Sequence, residues 1–123
     1  MKLGAFSISL NVKDLAVSKE FYEKLGFEVF HDGSDHGYCM LKNGDHIIGL
    51  FSGIIPANTL TFNPGWDQNA QAVEGFDDVR AIQKSLKDSG VELTTECDAD
   101  GSGPAHIALL DPDGNAILID QHV

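Results

Sequence analysis

The sequence predicts an α+β fold built of two tandem βαβββ modules. Three observations predict it. An alternating apolar stretch, Phe6 to Val12, leads into a helical pattern that opens at Asp14 and stops at Gly26. The same cap, apolar stripe, stop and restart return half a chain downstream, at Asp78, Val79–Leu86, Gly90 and Val91. Each half also carries a hairpin signal, Asn43-Gly44 in the first and Asp111-Pro112-Asp113-Gly114-Asn115 in the second. One match of this kind arises by chance, but several in the same order indicate a duplicated module.

Taken in order, Ile8, Leu10 and Val12 alternate with Ser7, Ser9 and Asn11, the period of a strand with one buried face. Asp14 stands where a short carboxylate can accept from the free N–H groups of a helix start. Leu15, Ser18, Tyr22 and Leu25 then fall on one helical stripe, with Phe21 and Tyr22 read as packing residues. Gly26 ends the helix, and Phe27–Phe30 starts a short strand. His31 to Gly37 is polar and reads as a loop. Tyr38–Leu41 and His46–Phe51 flank Asn43-Gly44 as a hairpin.

Ser52 to Asn69 is irregular, with Pro56 and Pro64 restricting the residues before them. Its aromatics, Phe62 and Trp66, are expected either to cover a cavity or a partner subunit, or to pack within the same domain. Val73–Phe76 is expected to be a strand, followed by the second helix from Asp78 and a strand at Val91–Leu93. Glu96 to Gly103 is a polar glycine-rich loop. Ala105–Leu110 and Ala116–Ile119 are strands joined by the Asp-Pro-Asp-Gly-Asn turn. The 123 residues form one domain, 1–123, with modules at about 1–55 and 68–123.

Lys and Arg number 8 against 19 Asp and Glu, a formal charge of −11. That field repels phosphate backbones, so nucleic acid is excluded as a partner. No stretch approaches the roughly 20 apolar residues of a membrane span, and no signal peptide is visible, so a soluble cytoplasmic protein is expected. Cys39 and Cys97 have no metal-ligand spacing and read as two reduced thiols.

These motifs resemble those of the vicinal-oxygen-chelate superfamily, which includes glyoxalase I, extradiol dioxygenases, and fosfomycin and bleomycin resistance proteins. The resemblance rests on Val12-Lys13-Asp14-Leu15, Ser18, Phe21-Tyr22-Glu23-Lys24-Leu25-Gly26-Phe27 and Asp111-Pro112-Asp113-Gly114-Asn115, and covers essentially the whole chain. It implies that the modules curl into a curved, half-open, barrel-like mixed sheet around a cleft. It also implies four metal-ligand positions, filled in glyoxalase-like members by His, Gln or Glu. Carried over one at a time, these positions are Ser7, Gly49, Gln71 and, four residues past the turn glycine, Leu118. Only Gln71 and, weakly, Ser7 offer an oxygen, so no metal and no cofactor are expected.

On this reading Ser7, Gly49, Gln71 and Leu118 line the cleft, Gly49 leaving room and Leu118 adding an apolar wall. His106 shares a strand face with Ala108 and Leu110. It is either a cleft-facing base or donor, or a satisfied core or edge histidine. Glu74 is a base with a raised pKa if it faces inward, and a solvated rim charge if it faces outward. His31, His36, His46 and His122 read as scattered surface residues. The function expected is metal-independent binding of a small, partly apolar molecule, by a homodimer with Phe62 and Trp66 at its interface. The alternative is a metal-dependent glyoxalase-like lyase, isomerase or dioxygenase that recruits His106, Glu74 or His36.

Overall fold

Asp14 and Asp78 start the two helices as their short carboxylates predict. In a computed structural model describing residues 1–123, the Asp14 side chain accepts from Val17 N at 3.2 Å and that of Asp78 from Arg80 N at 2.9 Å. The helices are α1, Leu15–Lys24, and α2, Val79–Asp88. Gly26 and Gly90, just past them, take positive φ of 93° and 82°, which a side chain would strain.

The strands are β1 (Ala5–Asn11), β2 (Glu28–Gly33), β3 (Tyr38–Asn43), β4 (His46–Phe51), β5 (Thr59–Asn63), β6 (Ala105–Leu110) and β7 (Ala116–Gln121). The fold is α+β, with a mixed sheet; the first half keeps the expected βαβββ order, and the second runs βαββ because one of its expected strands does not form. The chain divides into two units, Ser7–Thr59, and Met1–Phe6 together with Leu60–Val123.

In the unit Ser7–Thr59 the strand order is β2-β3-β4-β1. β1 runs parallel to β4, while β2/β3 and β3/β4 are antiparallel. The β3–β4 hairpin forms with Gly44-Asp45 as its loop, one residue beyond Asn43-Gly44, because Asn43 still pairs with His46. Cys39, Leu41 and Leu50 are fully buried beneath Leu10, Leu15, Tyr22 and Phe27. Removing one such aliphatic side chain from water stabilises the fold by about 1.5–3 kcal/mol.

β2 continues through His31 to Gly33, where a loop was expected. A bulge between Val29 and His31 lets the polar residues stay in register with β3, and Ser34–His36 then forms a single 3-10 turn. The α1 stripe also differs from expectation. Leu15 and Tyr22 reach the core, but Phe21 and Leu25 are each 57% exposed.

In the other unit, β5, β7 and β6 are neighbours in that order. Val79, Ile82, Ile107, Leu109 and Ile119 form its core, with Leu3, Phe62, Leu86, Val91 and Leu93 packed around them. The strand that precedes α2 is β5 and not Val73–Phe76. Residues 64–77 instead fold into a compact loop. The Asp67 carboxylate accepts from the N–H groups of Asn69 and Gln71, and Asp67 N donates to Gln71 O. These bonds compete with a ladder for the same backbone groups. The expected strand at Val91–Leu93 is reduced to irregular backbone ending in one bridge, Thr95 to Ala108.

Phe62 and Trp66 are accommodated inside this unit. Phe62 packs on the core and against Phe6 at 5.1 Å, and Trp66 sits edge-on to His122 at 4.7 Å. Each therefore has an aromatic packing partner within its own unit. No helix is long and apolar enough to cross a membrane.

Candidate functional site

Strand alternation sends one face of the strands in each unit to that unit's helix and leaves the other face for function. In the unit Ser7–Thr59, Leu10, Cys39, Leu41, Ile48 and Leu50 point to α1, and Ile8 shares their face because it pairs with Ile48. The opposite face therefore carries Ser7 and Ser9 of β1, Ile47, Gly49 and Phe51 of β4, and Tyr38 and Met40 of β3. Register places Ser9, Gly49, Met40 and His31 in one row across four strands.

Gly49 is not an open space on this face. A Cβ built there would lie 2.6 Å from the Phe51 ring and 3.0 Å from Met40 Sδ. The side chains that flank the glycine fold over it, so the missing side chain is what lets them meet. Gly33 serves Tyr38 in the same way, since its Cβ would fall 2.3 Å from the phenol ring. The result is a row of planar groups. Tyr38 stacks on Phe51 at 5.8 Å and 13°, and His31 on Tyr38 at 5.7 Å and 30°. His31 Nε2 and the Tyr38 hydroxyl are 3.0 Å apart, within hydrogen-bond distance. Ser7 and Ser9 are buried hydroxyl-bearing residues at the other side of the face.

His31, Tyr38, Met40 and Phe51 were missed by sequence reasoning as site residues. The signal was present for three of them. Tyr38, Met40 and Phe51 keep the same alternation as Gly49, whereas His31 was placed in a loop that the bulge turns into strand. Beneath the same sheet, burial pushes the Cys39 thiol up, which suits a core residue and not a nucleophile. Both cysteines are free.

In the other unit, β6 pairs His106 with Asp120 and Ala108 with Leu118. Ile107, Leu109 and Ile119 face α2, so His106, Leu118 and Asp120 share the opposite face. His106 is exposed there and is not a core histidine. His122 Nε2 lies 3.0 Å from Asp120 Oδ2. That hydrogen bond, against the opposing effect of burial, raises the His122 pKa above its usual 6.5. His36 is exposed in the 3-10 turn.

Gln71 and Glu74 lie outside every strand. Gln71 is exposed in the loop, where its Nε2 donates to Asn69 O at 3.2 Å, and Glu74 is exposed in a turn. The position assigned to Gln71 depended on a strand ending at Phe76, and that strand does not form. In β5, the strand that does precede α2, Phe62 faces the core, so Thr59 and Thr61 face away from it.

The residues present do not fit a divalent metal. Ser7 offers a neutral hydroxyl, Gly49 and Leu118 offer nothing, and Gln71 is held in a loop. No three His, Cys, Asp or Glu side chains converge in a way that could hold an ion. Divalent first-row ions require several imidazole, thiolate or carboxylate donors.

Comparison with solved structures places the fold. A Vibrio splendidus 12B01 protein of the glyoxalase/bleomycin resistance protein/dioxygenase superfamily is 18% identical with a TM-score of 0.66, over 94% of this chain and 97% of its own. A Legionella pneumophila protein described as an NAD-dependent benzaldehyde dehydrogenase is 17% identical with a TM-score of 0.70, over 96% and 99%. A Streptomyces coelicolor methylmalonyl-CoA epimerase is 20% identical with a TM-score of 0.64, over 99% of both chains. At these identities the likeness is one of fold. Among proteins of curated function none matches the sequence. The family model of the Glyoxalase/Bleomycin resistance protein/Dioxygenase superfamily matches residues 4–119, nearly the whole chain, and the protein belongs to that superfamily.

Proposed function

We propose that this chain is a metal-independent binding protein for a small, flat, partly apolar molecule. The observation that carries the reading is the covering of Gly49 by Phe51 and Met40. A residue type that could ligate a metal is absent there, and an aromatic and a thioether fill the space. The ligand surface we propose is the face that bears Ser7, Ser9, Gly49, Met40, Tyr38, Phe51 and His31. Aromatic and sulfur groups offer it dispersion and stacking. Ser7, Ser9 and the His31–Tyr38 pair offer the few polar groups that orient a ligand. Gln71 and Glu74, in their loop, are left out of this surface, and His106 and Leu118 share the corresponding face of the other unit. The chain's charge of −11 favours a neutral or weakly polar ligand over an anion. Its other proposed partner is a second copy of itself.

A thermal-shift screen of neutral aromatic and aliphatic compounds, followed by calorimetry, tests the reading. Planar compounds are expected to bind, and Tyr38→Ala to weaken them about tenfold, the loss of one stacking platform. Elemental analysis of protein purified without chelator is expected to show well under one metal per chain. About one equivalent of metal would overturn the reading in favour of a metal-dependent lyase, isomerase or dioxygenase. Undiminished affinity in folded Tyr38→Ala would move the ligand elsewhere.

A further inference from the structure

Helix α1 has apolar residues on both sides. Leu15 and Tyr22 pack inward, yet Val17, Phe21 and Leu25 recur every fourth position on the outward side. Val17 is 63% exposed, and Phe21 and Leu25 are each 57% exposed. Residues four apart stand one above another on a helix, so the three make a continuous outward stripe. Val29, 42% exposed, lies on the edge strand β2 and on the side of the sheet that carries α1, since it pairs with the buried Leu41. A water-facing helix normally keeps its outward side polar.

Charge says what covers this stripe. Lys13 to Lys24 holds three basic residues, Lys13, Lys19 and Lys24, and three acidic ones, Asp14, Glu20 and Glu23. The segment is therefore neutral, and the whole excess of −11 lies outside it. Two copies of an acidic chain repel wherever acidic surface meets acidic surface, and α1 is a helix face on which they can approach without that cost. A basic partner would be drawn to the acidic remainder and not to a neutral stripe. Area agrees. The four side chains expose on the order of 400 Å² of apolar surface, by the usual size of such groups. A standard interface needs about 800 Å² from each partner, a little over half of it apolar.

We propose that the outward stripe of α1, Val17, Phe21 and Leu25 with Val29 beside it, is the surface on which a second copy of this chain docks, across a two-fold axis. The stripe is self-complementary, as a closed two-fold interface requires. Lys19, Glu20, Glu23 and Lys24 form its mixed-charge rim, with Glu20 and Lys24 already 3.7 Å apart within one chain.

Sedimentation velocity of the full chain across micromolar concentrations tests this. The expected mass is twice 13.2 kDa. Phe21→Asp and Val17→Asp are each expected to weaken association by about tenfold or more, as loss of a central anchor does. Lys24→Glu, which makes the rim acidic, is expected to weaken it and to make it stronger again with added salt. Phe21 touches Tyr22 edge-on at 5.2 Å, so if Phe21→Asp unfolds, Val17→Asp decides. A mass of one chain throughout would overturn the proposal and leave the stripe for a different protein. A dimer that survives both Val17→Asp and Lys24→Glu would place the interface elsewhere. Ligand affinity measured on the same variants keeps this outcome separate from the binding reading above.

Discussion

Tyr38 and Phe51 stand directly opposite each other on β3 and β4, with ring planes 13° apart and centroids 5.8 Å apart. Such a cross-strand aromatic pair contributes about 0.5–1.5 kcal/mol beyond its area burial. Phe51 also covers Gly49, so one ring links the stack to the middle of the proposed ligand face.

Phe51→Ala is therefore expected to destabilise the protein by about 1.5–3 kcal/mol, less than for a fully buried phenylalanine because the ring is half-buried. Urea unfolding measures it. A midpoint equal to that of the parent would mean the stack makes no net contribution.

Gly49→Ala is expected to cost about 1–3 kcal/mol, since its methyl must displace the tips of Phe51 and Met40. Combined with Phe51→Ala, much of that cost should vanish, leaving a coupling of about 0.5 kcal/mol or more in a double-mutant cycle. Strict additivity would show that the two residues do not share the space.

Gln121 is 1% exposed, and its amide is fully used. Oε1 accepts from Val79 N at 2.7 Å, and Nε2 is shared among Asp78 Oδ2, Gly103 O and Val123 O at 2.8–3.1 Å. Gln121→Leu keeps the volume but orphans a buried helix N–H, at a cost of about 1–3 kcal/mol. The same unfolding measurement decides, and a neutral substitution would remove Gln121 from the account of how α2 is fastened.

His122 provides a pH test. The Asp120 hydrogen bond raises its pKa in the folded protein above 6.5. Its contribution is therefore complete below pH 6.5 and is lost as pH rises through the folded-state pKa. With the side chain 46% exposed, solvent limits the effect to less than about 1 kcal/mol. An NMR titration should find His122 above 6.5 and find it lowered in Asp120→Asn. Identical titrations in the two proteins would show that the contact does not persist in solution.

Local signals were legible wherever neighbouring residues carried them. Asp14 and Asp78 cap helices because a short carboxylate reaches the N–H groups two or three residues on, whatever lies elsewhere in the fold. Asp111 holds its turn in the same way, accepting from the N–H groups of Asp113 and Asn115. The strand before α2 was misplaced because Val73–Phe76 looks apolar, while the Asp67 carboxylate binds the backbone just ahead of it into a loop.

The sequence by itself determined the superfamily, the two helices with their caps and stops, both hairpins, and the weakness of Ser7 as a ligand and the absence of any at Gly49 and Leu118. Each of these is written in residue type and short spacing. Tertiary structure decided what fills the face at Gly49. It brought Phe51, Met40, Tyr38 and His31 together from three strands and used a bulge to carry His31 into register. It also decided that Phe62 and Trp66 are satisfied internally while Val17, Phe21 and Leu25 are not. Burial of a side chain depends on which distant surface arrives to cover it, and that is set by packing across the sheet and not by neighbours in the chain.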